Sequence, residues 1–127
     1  MKNPNDGFLK GRLRSFKFAI RGMWLLISTE DSIKAQLFFA VIASILGAFF
    51  TISSIEWMFQ FLVIGLVLVA ESLNTAIEKV ADFVHPDYHK KIGFIKDIAA
   101  GAASFAAITA LIIAGIIYVP KIIELFL

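Results

Sequence analysis

The chain has 127 residues, of which 59% are hydrophobic and only 17% are charged. A soluble domain normally carries about 25% charged residues, so this composition excludes an ordinary soluble protein and indicates a membrane protein. The chain has no cysteine, which excludes disulfides and thiolate metal sites, and its length leaves room for one domain, residues 1–127. Its net charge of +2 is small, and we expect no nucleic-acid partner.

The first predicted element is a helix over residues 8–28 with an apolar and a basic face. Apolar side chains recur along it at helical spacing, at Leu9, Leu13, Phe16, Ile20, Met23 and Trp24. Arg14, Lys17 and Arg21 lie on another face. This pattern is typical of a helix in the membrane interface, with cations toward the headgroups and large apolar side chains toward the acyl chains. A helix that packs on the protein's own core gives the same pattern.

Three membrane-spanning helices are predicted to follow, over residues 33–52, 55–82 and 96–119. The first contains an uncharged run of 21 residues from Ala35 to Ile55. At 1.5 Å per residue, this run is long enough to cross a hydrocarbon layer of about 30 Å. Ser28 and Thr29 are predicted to cap this helix, which would put Glu30 in its first turn.

Basic residues predict the orientation of these spans. Six of the twelve lie within the first 21 positions. A second group lies in and around the linker at 83–95, where proline and glycine break the helix, at Lys79, Lys90, Lys91 and Lys96. The turn between the first two spans has none. The positive-inside rule therefore predicts a cytoplasmic N-terminus and linker, and a C-terminus outside, beyond the exit at Pro120.

The stretch ESLNTAIEKVAD places a line of polar residues at the end of the second span. Its members share one helical face, which we call the polar stripe: Glu71, Asn74, Thr75, Glu78 and Asp82. Glu71 lies about 24 Å of helix rise into the span, near the predicted cytoplasmic edge of the hydrocarbon. Carboxylates persist there when they face a bundle interior and are paired, and Mg²⁺ is a suitable partner. A solvated helix end is the alternative for Glu78 and Asp82.

Two other segments are predicted to lie at the same membrane level. Glu30 precedes the first span and could join Glu78 as a metal ligand, although an acid at a helix N-terminus is favourable in its own right. Lys96 and Asp97 begin the third span, and Lys96 supplies the opposite charge. The small residues from Ala99 to Ser104 let another helix approach closely.

These motifs together resemble those of the small prokaryotic membrane lipid kinases, the diacylglycerol kinase and undecaprenol kinase family. ESLNTAIEKVAD resembles the family signature, in which Glu is followed by x-x-Asn-(Ser/Thr)-Ala-x-Glu and shortly by Asp. RSFKFAIRG resembles the family's amphipathic arm, Glu30 its acid before the first span, and IKDIAAGA its Lys-Asp start of the third. The resemblance covers nearly the whole chain, and the combination is specific.

The resemblance implies an all-α membrane protein, with an N-terminal surface helix and three spans per subunit of a homotrimer. It implies transfer of the γ-phosphate of ATP, with Mg²⁺, to the hydroxyl of a membrane lipid. Carried over by motif, Glu71 is the general base, and Asn74 maintains the polar geometry of the catalytic site. Glu30 and Glu78 bind the metal and the nucleotide. Gln36 stands where many relatives have a second acid, so we assign it no metal role.

The resemblance also implies roles for residues outside the stripe. Lys96 contacts phosphate, and Asp97 helps to hold the nucleotide. Arg14, together with Glu71 and Asn74, is a weaker candidate for contact with the lipid substrate. The protein is then expected in the bacterial inner membrane, with its active site at the cytoplasmic face.

The acceptor lipid is left open between two alcohols. The stretches ISSIEWMFQFLVIGLVLVAESLNTAIE and IIYVPKI look closer to the undecaprenol kinase branch, which favours undecaprenol over diacylglycerol. Nothing in the polar stripe distinguishes the two, because both present a primary hydroxyl at the interface. A non-enzymatic membrane protein that binds cations or assists assembly is the alternative of another class. The grouping of the carboxylates at one membrane edge favours surface chemistry over transport, which places charges near the midplane.

Overall fold

The computed structural model describes all 127 residues as four helices joined by short connections. Helix α1 spans Phe8–Thr29, α2 Asp31–Phe49, α3 Ser54–Val84 and α4 Lys90–Phe126. The last three are long and apolar enough to cross a membrane. The predicted all-helical membrane fold, with three spanning helices after an N-terminal helix, is therefore confirmed at this level.

The junction between α1 and α2 differs from the prediction. Ser28 and Thr29 do not cap α2, because they still belong to α1, where their hydroxyls donate to backbone carbonyls one turn earlier, at 2.7 Å from Trp24 and 2.6 Å from Leu25. Glu30 instead occupies the N-cap position of α2 in an extended conformation, without a side-chain capping bond. Its carboxylate is thus free to bind elsewhere.

Helix α1 contributes no buried residue to the single chain. Leu13, Phe16 and Trp24, on the predicted apolar face, are all exposed. The structure therefore gives no support to the alternative in which α1 packs this face on the chain's own core. An uncovered apolar stripe on a helix is the pattern expected of a helix in the membrane interface.

A tight turn at residues 50–53 reverses the chain between α2 and α3. Thr51 adopts a left-handed conformation, with φ of 51°, which is uncommon for a β-branched residue. Ser53 and Glu56 then form a reciprocal capping box: the Glu56 amide donates to the Ser53 hydroxyl at 3.2 Å, and the Ser53 amide donates to the Glu56 carboxylate at 2.8 Å. Glu56 also lies 2.9 Å from Lys121 of α4, which ties this end of the three spans together.

Helix α4 is longer than predicted at both ends. It begins at Lys90, after His89 accepts a hydrogen bond from the Lys91 amide as its N-cap, rather than at residue 96. It also continues through Pro120, where the prediction ended it. Proline is tolerated inside spanning helices when the freed backbone groups find other partners. The ion pair of Lys121 with Glu56 holds the last turns of α4 against α3.

A cluster of polar groups joins the three spans near this turn, and we call it the Gln60–Tyr118 cluster. The Gln60 amide nitrogen donates to the Ala43 carbonyl at 3.1 Å. The Tyr118 hydroxyl lies 3.0 Å from the same carbonyl and also contacts the Gln60 side-chain oxygen. All three helices are thus hydrogen-bonded at one level, beside the apolar cluster formed by Ile52, Ile117 and Tyr118.

Gly47 is required where α2 meets this cluster. A Cβ atom at this position would lie 2.8 Å from the Trp57 ring and 3.0 Å from the Ile52 side chain. Trp57 has little freedom to move away, because it stacks on Phe61 with ring centroids 5.5 Å apart. Only a hydrogen at position 47 allows α2 to approach the start of α3 this closely.

We therefore expect Gly47→Ala to destabilise the protein by about 1–3 kcal/mol, the usual effect of overpacking. Thermal unfolding in detergent, followed by helical circular dichroism, measures this change. Gly22→Ala is the matched control, since a Cβ there meets no atom within 4 Å. Equal stability of the two variants would contradict the close contact at Gly47.

Candidate active site at the inner ends of the spans

The polar stripe lies on an unbroken part of α3, and from Glu71 to Glu78 it is turned toward the bundle, whereas Asp82 at its end is exposed. Asn74 and Thr75 are buried, at 9% and 7% exposure, and Ala81 is buried on the same side. Leu73 and Val80, which flank the stripe, are about 60% exposed, at 60% and 62%. The helix therefore turns its polar side inward and its apolar side outward, as expected for a segment next to lipid.

Asn74 is one of the two buried polar residues of the stripe. Its amide nitrogen lies 3.5 Å from the Glu78 carboxylate, one turn further along α3, which is a long and weak hydrogen bond. Its side-chain oxygen is buried and has no hydrogen-bond partner. Buried polar atoms are nearly always paired, so this unpaired amide oxygen beside a carboxylate makes Asn74 a candidate for contact with a ligand.

Two ion pairs connect the C-terminal part of α3 with the neighbouring helices. Lys79 of α3 lies 3.0 Å from Glu30 at the start of α2, and Lys96 of α4 lies 2.7 Å from Asp82 of α3. Glu78 adds a further, longer-range attraction to Lys96. The pair with Lys79 holds Glu30 against α3, and the pair with Asp82 holds Lys96 against it. Both predicted site residues therefore lie at the level of Glu78 on α3.

The pKa of Glu30 lies below its usual value of 4.5. The main cause is the hydrogen bond from Lys79, followed by that from the Thr29 hydroxyl. A lowered pKa in the folded protein means that this contact stabilises the fold above the ordinary pKa of glutamate and is lost as the pH falls through the lowered pKa. At neutral pH the Glu30 carboxylate is therefore ionised and able to bind a cation.

Other predicted site residues stand apart in the single chain. Glu71 is partly buried but forms no ion pair and no side-chain hydrogen bond. Asp97 is exposed at the start of α4 and has no ionic partner. Arg14 lies 2.9 Å from Asp6 at the start of α1, so its guanidinium is engaged within the N-terminal arm. No three His, Asp or Glu side chains of one chain are close enough to hold a metal ion.

The sequence analysis named Lys96 as a counter-charge for the stripe, but it missed the pairing of Lys79 with Glu30. Lys79 entered it only as a cation that sets the orientation, and Asp82 only as a member of the stripe. Opposite charges on the three helices could have indicated that such ion pairs form. Which residues pair depends on how the helices pack, and the spacing of residues along one helix does not reveal this. The Gln60–Tyr118 cluster at the other end was missed for the same reason.

Comparison with known proteins identifies the family. Residues 17–118 match the model of the prokaryotic diacylglycerol kinases. The undecaprenol kinase of Bacillus subtilis is 38% identical over 109 residues, which cover 86% of this chain and 89% of that protein. The diacylglycerol kinase of Synechocystis is 32% identical over 114 residues, covering 89% of this chain and 65% of that protein. The diacylglycerol kinase of Escherichia coli K12 is 28% identical over 115 residues, covering 88% and 91%.

The chain therefore belongs to the prokaryotic diacylglycerol kinase family. It is a lipid kinase of the membrane, with a lipid alcohol as acceptor and ATP as phosphate donor. The resemblance drawn from ESLNTAIEKVAD and its companion motifs is confirmed, and the non-enzymatic alternative is excluded.

Asn74 and Gln60 form a natural pair for testing whether the stripe serves function rather than stability. Both are buried amides of α3. The side-chain nitrogen and oxygen of Gln60 both have hydrogen-bond partners, whereas the side-chain oxygen of Asn74 has no partner. We expect Gln60→Leu to lower the free energy of unfolding by about 1 kcal/mol, because it removes satisfied interhelical hydrogen bonds. We expect Asn74→Leu to change it by less than about 0.5 kcal/mol while reducing kinase activity at least about tenfold.

The measurements are unfolding in detergent and turnover of the lipid acceptor, made on both variants in parallel. A clear loss of stability in Asn74→Leu, with activity reduced only in proportion to the unfolded fraction, would assign Asn74 a structural role instead.

Proposed function

We propose that the chain phosphorylates undecaprenol at the cytoplasmic face of the bacterial inner membrane, with diacylglycerol as the alternative acceptor. The inward polar stripe with its unpaired Asn74 oxygen supports a reaction site at this level. The similarity to a Bacillus subtilis undecaprenol kinase, at 38% identity over 86% of this chain, supports the choice of acceptor. Both alcohols present a primary hydroxyl at the membrane interface, so the same site chemistry serves either.

Glu71 is the proposed general base. It accepts the proton of the lipid hydroxyl as that oxygen forms a bond to the γ-phosphorus of ATP. The bond between this phosphorus and the β–γ bridging oxygen breaks, and ADP leaves. Glu71 has no ionic partner in this chain that would hold its carboxylate away from a substrate. Asn74, one turn further along α3, is proposed to orient the reacting groups through its free oxygen. Positioning of this kind accounts for most of the catalysis in phosphoryl transfer.

Glu30 and Glu78 are the proposed ligands of Mg²⁺. The donor set fits this ion, since Mg²⁺ takes hard oxygen ligands and is usually held by one or two carboxylates together with substrate phosphates. When bound, the ion neutralises charge on the phosphate oxygens. The free Asn74 oxygen beside Glu78 is a further hard donor at this level. Lys96 and Asp97 are proposed to contact the phosphates and the nucleotide, and Arg14 the lipid headgroup.

The proposed assembly is a homotrimer, with residues 8–28 at the inner surface and spans at 33–52, 55–82 and 96–119. Only 12 of 127 residues are buried in the single chain, so large apolar faces remain for contact with lipid and with other copies. The absence of a three-ligand metal cluster within one chain also favours a site completed by substrate or by a second subunit. The basic residues of the arm and the linker support a cytoplasmic N-terminus and active site.

The acceptor is tested by measuring turnover of the purified protein with undecaprenol and with diacylglycerol in the same bilayer. We expect a higher kcat/KM for undecaprenol. A preference for diacylglycerol would reverse the assignment of the acceptor and leave the assignment of the site intact.

Replacing Glu71 tests the general base. We expect Glu71→Gln to lower kcat by about 10²–10⁴-fold, the usual contribution of a positioned base, with assembly and ATP binding retained. Glu124→Gln, the same change at the exposed far end of α4, is the control and should keep full activity. Turnover near that of the unmodified protein in Glu71→Gln would remove Glu71 from this role.

Replacing the proposed metal ligands tests the ion site. We expect Glu30→Gln and Glu78→Gln each to raise the Mg²⁺ concentration needed for half-maximal activity by about tenfold or more, because each removes a charged ligand. Asp31→Asn is the control, since Asp31 neighbours Glu30 but is almost fully exposed and pairs locally with Lys34 at 3.1 Å. An unchanged Mg²⁺ dependence in either variant would exclude that residue as a ligand.

A further inference from the structure

One oxygen of the Glu30 carboxylate is already occupied in this structure. The Lys79 ammonium lies 3.0 Å from Glu30 Oε1, and the Thr29 hydroxyl lies 3.1 Å from the same atom. The Glu30 side chain is only 20% exposed, whereas that of Lys79 is 67% exposed. The carboxylate is therefore the enclosed partner, and the lysine reaches to it from a more open position.

This pair differs from the other ion pair at the start of α2. Lys34 and Asp31 are three residues apart on one helix, and the Asp31 side chain is 97% exposed. Such local pairs on the surface have little effect on the structure. Lys79 and Glu30 instead belong to different helices, and Lys79 directly follows Glu78, the other proposed ligand.

We propose that Lys79 is the resident counter-ion of Glu30 and competes with the divalent cation for that carboxylate. This inference rests on the proposed role of Glu30 as a metal ligand. An ammonium group and a divalent ion bound to one carboxylate repel each other, because both are cations. Binding of the ion at Glu30 therefore weakens the contact with Lys79, and the exposed stem of the lysine lets the ammonium move away.

Before an ion binds, Lys79 compensates part of the negative charge of the proposed ion site. Glu30, Glu78 and Asp82 are brought to one level, and without cations nearby these acids would repel one another. Lys79 and Lys96 compensate two of the three charges through their pairs with Glu30 and Asp82. An ion at Glu30 would take over the compensation that Lys79 supplies there, and the displaced ammonium would become solvent-exposed. Lys79 is in this sense a positioning residue for the ion site.

The test measures binding of Mn²⁺ alone to the detergent-solubilised protein, by the loss of the free-ion signal in electron paramagnetic resonance. We expect Lys79→Met, which keeps the length of the stem, to tighten Mn²⁺ binding about two- to fivefold, the range set by removal of one competing exposed ion pair. Lys79→Arg keeps the competing charge and should bind like the unmodified protein. Lys90→Met removes a charge from the exposed linker end and should have no effect.

A double variant separates direct competition from a general change of charge. In a Glu30→Gln background no carboxylate remains at position 30 to compete for, so we expect Lys79→Met to have no further effect on Mn²⁺ binding. In kinase assays, Lys79→Met should lower the half-saturating Mg²⁺ concentration by the same factor. A purely structural role of Lys79 would lower the stability of the protein and leave the Mg²⁺ dependence unchanged.

Two different failures can be told apart. If Glu30→Gln weakens Mn²⁺ binding but Lys79→Met leaves it unchanged or weaker, the competition is wrong and the proposed ligand role of Glu30 stands. Tightening by Lys79→Met of equal size in the Glu30→Gln background overturns the competition as well, because it shows a general charge effect. If Glu30→Gln and the unmodified protein bind Mn²⁺ equally, both the ligand role of Glu30 and the counter-ion role of Lys79 are overturned.

Discussion

The structure depends on one constraint, which is that the carboxylates and amide of α3 must be turned away from lipid. The helix meets it by keeping its polar side against the bundle, where Asn74 and Thr75 are buried, and its apolar side outward, where Leu73 and Val80 are exposed. Because α3 is continuous from Ser54 to Val84, the orientation of its apolar half also fixes that of its polar half. A rotation of the helix that exposed the stripe would also expose Gln60, which is hydrogen-bonded to α2 and α4.

This constraint explains how charge is arranged at the inner ends of the spans. Acidic side chains near lipid need counter-ions. Lys79 of α3 pairs with Glu30, and Lys96 of α4 pairs with Asp82. The inner face of the bundle at this level therefore has two cationic partners of its own, one for Glu30 and one for Asp82.

Much of the fold could be predicted because it follows from local patterns. Long uncharged runs predict spans, and a spacing of three, four and seven places Glu71, Asn74 and Glu78 on one face without knowledge of any neighbour. The family resemblance then assigned a reaction to that face. Helix ends were harder to predict. Ser28 and Thr29, predicted as caps of α2, lie inside α1 because their hydroxyls donate to carbonyls one turn earlier, a local alternative to capping that the sequence leaves open. Helix α4 continues through Pro120, next to an ion pair of Lys121 with Glu56 that forms only after packing.

The Gln60–Tyr118 cluster has a mechanical consequence for the opposite end of the molecule. Its hydrogen bonds fasten α2 at Ala43, and from there to Asp31 the helix extends for about 18 Å. A helix fixed at one point acts as a lever arm, so a tilt of only about 10° displaces the far tip by roughly 3 Å over that length. This displacement is about the length of a hydrogen bond, so a small tilt of α2 is enough to form or break the contacts of Glu30 with its neighbours.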